Sequence, residues 1–375
     1  MSKDFQPSSQ ENGEHPLPPN QMTKPLSPPD HTHTLRPDPK ILLNGGSISL
    51  ARLKNFVGKN ILSVKDFSRE DVVCLTRFAA FIEALEIAPY HPLDGKIVIT
   101  AFFEASTRTR TSFESAVLRL DGKIISIPDA AITGVKKGES IGDIGEMFNA
   151  YGDVVIMRHT ETRALEEILA NLRIPLINAG NGSGEHPTQA LTDWYALLKW
   201  RPAFAKPFVG DESNKLHLAI MGTPGNMRAV KSFLLMSLLF QDHFRKITIV
   251  SEMADPLGPD LEEAMENSGI PFEVSADMDS IVSDLDIIYM NSIALLGDTY
   301  RSMDEKYRLH RESPLKKDAV ILHPLARLDE LDKSLDGTRH NLYFCQAHGS
   351  VFVRQALLIS VLDRFHRLPE NSPLT

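Results

Sequence analysis

The 375-residue chain is long enough for two domains with real cores, and 42% apolar against 24% charged residues is the balance of a soluble globular protein. A net charge of −9 argues against a general nucleic-acid binder, which carries a basic stripe. Only Cys74 and Cys345 are present, so neither a disulfide framework nor a cysteine metal site is expected. The longest strongly apolar stretch, Phe233 to Phe240, is too short to span a membrane. No apolar core follows the start methionine as a signal peptide requires, so a cytoplasmic protein is the expectation.

The first forty residues hold nine prolines and three histidines with almost no apolar periodicity, so residues 1–52 read as a disordered Pro-rich tail. Periodic structure begins near Leu53, and Ser68-Arg69-Glu70-Asp71 has the form of a helix start. Strands are expected at 96–103, 124–127, 154–157, 174–178, 217–221, 246–250, 286–290 and 319–322. Helices fall between them, at 141–150, 163–171, 189–199, 227–240 and 258–268, and a last helix closes the chain. Such alternation predicts parallel sheets with crossover helices, whose ligands bind at the carboxyl ends of strands. Lys199 to Asn214 reads as a loop within a second domain.

One segment stands out for chemistry. Ser106-Thr107-Arg108-Thr109-Arg110-Thr111 follows the strand 96–103 and precedes an amphipathic helix. Hydroxyls, guanidinium groups and unpaired helix N–H groups therefore meet where the helix dipole is positive, which is an anion pocket suited to phosphate. Lys136-Lys137-Gly138-Glu139 offers loop charge after Thr133. Met157-Arg158-His159 ends a strand, His186-Pro187-Thr188-Gln189 ends a glycine-rich loop and opens a helix, and His323-Pro324-Leu325 follows another strand.

These segments, together with Phe102-Phe103-Glu104-Ala105 before the hydroxyl-rich run, resemble the motifs of the aspartate and ornithine carbamoyltransferase family, in order and at similar intervals. The resemblance covers about residues 53–366 and is strongest with the aspartate branch. It implies an α/β fold of two doubly wound parallel-sheet domains, carbamoyl-phosphate binding over 53–187 and amino-acid binding over 188–350. A C-terminal helix, 351–367, would return to the first domain. It implies that Ser106, Thr107, Arg108 and Thr109 hold the phosphate, while Thr109, Arg158 and His186 surround the carbamoyl oxygen. Gln189 would take the carbamoyl amide, Arg228 an α-carboxylate, and the carbonyls of Pro324 and Leu325 the attacking amine. Thr133 and Lys137 would act in a neighbouring subunit's site, within a homotrimer. Neither metal nor cofactor is implied, and no motif assigns a regulatory subunit.

The acceptor half departs from the family pattern. Aspartate-specific members carry an Arg-x-Gln element after a Tyr-Met pair, whereas Tyr289-Met290 here precedes Asn291-Ser292-Ile293-Ala294. Arg301 and Arg308 are the available substitutes. Gly222 to Arg228 keeps the arginine but changes the loop before it. Ala326 stands where relatives carry a proline in a cis peptide, so either the cis bond persists or the loop relaxes and shifts the amine pocket. The expected activity is transfer of a carbamoyl group to an amino acid. With aspartate it would give N-carbamoyl-aspartate, for pyrimidine synthesis. A different amino acid or diamino acid as acceptor, or a non-catalytic paralogue that binds carbamoyl phosphate, are the alternatives.

Overall fold

Uninterrupted apolar runs such as Ile97-Val98-Ile99 and Leu218-Ala219-Ile220 can only be buried on both faces, which requires helices above and below a parallel sheet. The computed structural model builds two such sheets and describes residues 35–85, 87, 90–134, 138–291, 305–370 and 372–375. Helices α1 (Lys40–Leu43), α2 (Leu50–Lys54) and α3 (Arg69–Leu85) come first. The Ser68 hydroxyl accepts from the Asp71 N–H while the Asp71 carboxylate accepts from the Ser68 N–H, a reciprocal cap that starts α3.

The first sheet contains β1 (Ile97–Phe102), β2 (Lys123–Ile127), β3 (Val154–His159) and β4 (Leu176–Asn181), connected by α4 (Thr107–Arg119), α5 (Ile141–Tyr151) and α6 (Ala164–Leu169). Its order is β2-β1-β3-β4 and every pairing is parallel. Helix α7 (Pro187–Trp200) leads to the second sheet, of β5 (Leu216–Met221), β6 (Phe244–Val250), β7 (Phe272–Ser275), β8 (Ile287–Tyr289) and β9 (Val320–Leu322). Helices α8 (Arg228–Leu238) and α9 (Pro259–Ser268) connect its first three strands. That sheet runs β7-β6-β5-β8-β9, again all parallel. The chain reverses direction across each sheet once, between β1 and β3 and between β5 and β8. A crevice opens at the carboxyl ends of strands at such a reversal.

Helix α10 (Tyr343–Val361) returns from the second domain and packs against α3, α4 and α7. Its buried residues lie on all sides, including Gln346, Arg354 and Leu357. No helix among the described residues is long and apolar enough to cross a membrane.

Three expectations need correction. Residues 40–52 are not part of a disordered tail: α1 and α2 form there, with Leu42 and Ile48 buried. The Leu50 N–H donates to the Thr375 carbonyl and the Thr375 N–H to that of Ile48, so the C-terminus orders this segment through contacts too distant in sequence to leave a periodic pattern. The expected tail over residues 1–34 lies outside the described residues. The last helix spans Tyr343–Val361 rather than 351–367, because its first two turns bury polar and small residues that break the apolar repeat. Strand β7 was missed, since it is a half-exposed edge strand of four residues.

Candidate active site

The carboxyl ends of both sheets line one cleft of about 830 Å³. Ser106 is the N-cap of α4 in extended conformation, yet its hydroxyl makes no capping bond and is left facing the cleft. Thr107 and Arg108 follow in the first turn and also line it. Among the described residues no carboxylate pairs with Arg108, whose guanidinium pKa is lowered by burial. Free N–H groups, hydroxyls and an uncompensated cation at one helix start make an anion site.

Thr109 is buried one residue further on, and its hydroxyl lies 3.4 Å from His186 Nε2. The other ring nitrogen of His186, Nδ1, is 3.3 Å from the Thr188 hydroxyl. The backbone N–H of His186 donates to Ser232 of α8 at 2.8 Å, which ties the start of α7 to the second domain. Burial drives the His186 pKa well below its ordinary value, and the charges of Arg158, Arg228 and Arg354 push the same way. The imidazole is therefore neutral at physiological pH and can donate from only one nitrogen. When the Thr188 hydroxyl donates to Nδ1, the ring proton sits on Nε2 and faces Thr109 and the cleft.

Arg158 sits at the end of β3 in register with Phe102. Its Nη2 donates to Glu104 Oε1 at 2.7 Å. Arg228, at the start of α8, donates from Nη1 to Glu104 Oε2 at 2.8 Å and to the Gly182 carbonyl at 2.9 Å, with Nη2 bonded to Glu104 Oε1 as well. Burial alone would raise the Glu104 pKa, but hydrogen bonds and charge from Arg228 and then Arg158 hold it below the usual carboxylate value. Gly180, near the end of β4 rather than in the loop after it, has a specific purpose here. Its φ is positive and a Cβ on it would lie 2.9 Å from Arg228 Nε, so glycine lets that side chain cross the strand end.

On the other wall, the Leu325 N–H donates to His323 Nδ1 at 2.8 Å, which places the ring proton on Nε2, 2.8 Å from Glu330 Oε1. His323 and Glu330 are each buried, and their pair holds the Pro324-Leu325 turn at the cleft. The Leu325–Ala326 peptide is cis despite the missing proline.

Ten of the residues singled out from sequence thus line one cleft: Ser106 to Thr109, Arg158, His186, Gln189, Arg228, Pro324 and Leu325. Thr133 is not among the residues lining it, and its hydroxyl donates to the Ala130 carbonyl at 2.7 Å. Lys137 lies outside the described residues, as do Ser292, Ile293, Ala294 and Arg301. Arg308 is described, stands away from the cleft lining and pairs with Asp329 at 3.9 Å. His159 is not a site residue: its Nδ1 accepts from the Glu161 N–H and its ring packs on Phe103.

The sequence reading missed Glu104, Asp193, Gln346 and Arg354. Glu104 lies inside the most distinctive motif and had no role assigned. The other three are polar residues on α7 and α10, and the signal available was a charged residue, Asp193 or Arg354, set among apolar neighbours.

Comparison with known proteins agrees with this geometry. The family model described as aspartate/ornithine carbamoyltransferase, carbamoyl-P binding domain, matches residues 59–199, and the Asp/Orn binding domain of the same family matches 214–361. The chain belongs to the aspartate/ornithine carbamoyltransferase family. Among its relatives, the chloroplastic aspartate carbamoyltransferase of Arabidopsis thaliana is 34% identical over 82% of this chain and 78% of its own. The aspartate carbamoyltransferase catalytic subunit of Pyrobaculum calidifontis is also 34% identical, over 82% of this chain and 98% of its own. Aspartate transcarbamoylase from Trypanosoma cruzi, solved with carbamoyl aspartate and phosphate, superposes with a TM-score of 0.72 at 28% identity, covering 85% of this chain and 99% of that one.

Proposed function

We propose that this protein transfers the carbamoyl group of carbamoyl phosphate to the amino group of aspartate, giving N-carbamoyl-aspartate and inorganic phosphate. The observation that carries the reading is the convergence of Arg158, the Thr109 hydroxyl and neutral His186 beside the unpaired Arg108 at the start of α4. The relatives at 34% identity are aspartate carbamoyltransferases.

The phosphate sits on the N–H groups and hydroxyls of Ser106, Thr107 and Thr109, with Arg108 as its cation. Gln189 receives the carbamoyl NH2 group. Arg228 takes the acceptor α-carboxylate, and the carbonyls of Pro324 and Leu325 orient its amine. The amine lone pair attacks the carbamoyl carbon, and charge builds on the carbamoyl oxygen, where Arg158, Thr109 and His186 donate. Collapse breaks the carbon–oxygen bond to phosphate, which leaves with the electron pair and accepts the proton lost by nitrogen. His186 stabilises by donation and need not change protonation. Catalysis is then positioning and electrostatics, with no covalent enzyme intermediate.

A homotrimer with Thr133 and Lys137 reaching a neighbouring cleft, in the cytoplasm, belongs to the same proposal. The motif resemblance supports the shared site, with Thr133 standing outside the lining of the cleft in its own chain. The test is ureido product formation by the purified protein from carbamoyl phosphate with aspartate and a panel of other amino acids. Turnover led by aspartate is expected. Turnover only with another amine would reassign the acceptor, and tight carbamoyl-phosphate binding without turnover would sink the catalytic reading.

A further inference from the structure

Beneath the cleft floor lies a carboxylate that the transfer step, as described, does not use. Asp193 is fully buried on α7, in a run that otherwise reads Ala190-Leu191-Thr192 and Trp194-Tyr195-Ala196-Leu197. A buried carboxylate is costly unless hydrogen-bonded donors replace its water shell. Three donors do so, from three different elements. Gln189 Nε2, one turn earlier on α7, donates to Oδ1 at 2.7 Å. Gln346 Nε2, from α10, donates to the same oxygen at 2.6 Å. The Tyr289 hydroxyl, at the end of β8, donates to Oδ2 at 2.9 Å.

The chemistry of the acceptor fixes both glutamine amides. An ionised carboxylate only accepts, so each amide must turn its NH2 group toward Asp193 and its oxygen away. For Gln346 the outward oxygen accepts from the His323 N–H at 3.0 Å, which anchors the strand end that leads into Pro324 and Leu325. Gln189 has its oxygen left over, and Gln189 lines the cleft. An acceptor oxygen is what an incoming carbamoyl NH2 group requires. With the amide reversed, two NH2 groups would face each other.

We propose that Asp193 is a positioning residue for carbamoyl transfer: its carboxylate sets which end of the Gln189 amide faces the cleft. Through Gln346 it holds the acceptor-side turn in the same framework. This rests on the proposed function and deepens it, assigning a part of the site that touches neither substrate. Burial raises the Asp193 pKa to about 7 against the pull of the three donors. Arg354, buried on α10 and stacked over the Phe113 ring, is the nearby positive charge that opposes that rise.

The experiment is a double-mutant cycle on kcat/KM for carbamoyl phosphate with aspartate saturating, using Asp193→Asn, Gln189→Ala and the pair. Asp193→Asn is expected to lower kcat/KM by about tenfold or more in the native background and by a clearly smaller factor in Gln189→Ala, where only its hold on Gln346 remains. An equal factor in both backgrounds would mean that Asp193 is merely structural and would overturn the proposal. Should Asp193→Asn fail to fold, Tyr289→Phe removes one donor while keeping the ring stacked on Phe233 at 4.0 Å. Its smaller loss must likewise shrink with Gln189→Ala, or the proposal falls. A native protein inactive with both substrates would overturn the functional reading itself, an outcome distinct from additivity in an active enzyme.

Discussion

Arg228 and Glu104 join the two domains directly: the guanidinium at the start of α8 grips the carboxylate that follows β1, with Nη1 to Oε2 at 2.8 Å. The same carboxylate holds Arg158, so one acidic side chain sets the position of two cations that face opposite substrates. Glu104→Gln keeps the shape but removes the charge-assisted bonds that draw the domains together. It also leaves more positive charge in the cleft. We therefore expect kcat to fall by about tenfold or more while carbamoyl-phosphate affinity holds or improves. Steady-state kinetics paired with calorimetry read both quantities. Affinity lost in step with kcat would place Glu104 in the phosphate site instead.

Arg158→Ala tests the oxyanion assignment. Removing a donor aimed at developing charge costs on the order of 10²–10³ in kcat. Glu104 keeps Arg228 as its partner, so the variant should fold, with a melting temperature close to native. The expected signature is a large loss of kcat with a small change in the aspartate KM. A raised KM at native kcat would show that Arg158 serves binding only.

Asp193 gives activity and stability opposite pH dependences. Its folded pKa is raised to about 7, above its unfolded value. The folded state therefore holds a proton that the unfolded state releases, and stability falls as pH rises from about 4 to 7. The slope from this one group is at most about 1.4 kcal/mol per pH unit. Activity moves the other way, since only the ionised carboxylate accepts from all three donors, and kcat should rise as pH passes about 7. His186, with its depressed pKa, contributes stability that is lost as pH falls below about 6.5, which partly masks the slope. Denaturant melts of the native protein and Asp193→Asn at pH 5, 6 and 7 isolate the term. A constant difference between the two proteins would mean that Asp193 does not titrate there.

Much of this was legible in the residues because local chemistry and chain order carried it. Apolar runs ending in Ser106-Thr107-Arg108, Arg158 and His323 marked strand ends, and a parallel sheet brings such ends to one edge. What stayed hidden depends on long-range contact. Glu104 reads as an ordinary loop acid until Arg228, in the other domain, meets it. Ile48 gives no hint of its bridge to Leu374. Asp193 and Gln346 are far apart in sequence, and only the return of α10 onto α7 makes them partners. The glycine of α10 has the same origin.

That glycine, Gly349, packs α10 directly against Tyr195 of α7. A Cβ there would lie 2.8 Å from Tyr195 Cδ1 and 3.1 Å from Cε1. Tyr195 is fully buried and its hydroxyl is bonded to Glu83, so the ring has nowhere to retreat. Gly349→Ala should therefore destabilise by about 1–3 kcal/mol, despite alanine's better helix propensity. Chemical denaturation gives the sign, and a more stable variant would show that the two helices can move apart.

The buried pair His323–Glu330 supplies a variant that separates the two substrates. Glu330 Oε1 accepts from His323 Nε2 at 2.8 Å and from the Leu328 N–H at 2.9 Å, so it braces both sides of the turn that carries Pro324 and Leu325. Burial lowers the His323 pKa, although Glu330 opposes that. Glu330→Ala leaves the buried His323 Nε2–H without an acceptor, at about 1–3 kcal/mol, and releases the Leu328 N–H on the exposed side of the turn. A turn loosened in this way no longer holds its carbonyls against the amine, whereas the start of α4 is untouched. The aspartate KM should rise by about tenfold or more, while the carbamoyl-phosphate dissociation constant stays within about twofold of native. Equal weakening of both substrates would mean that the turn supports the whole cleft rather than the acceptor side alone.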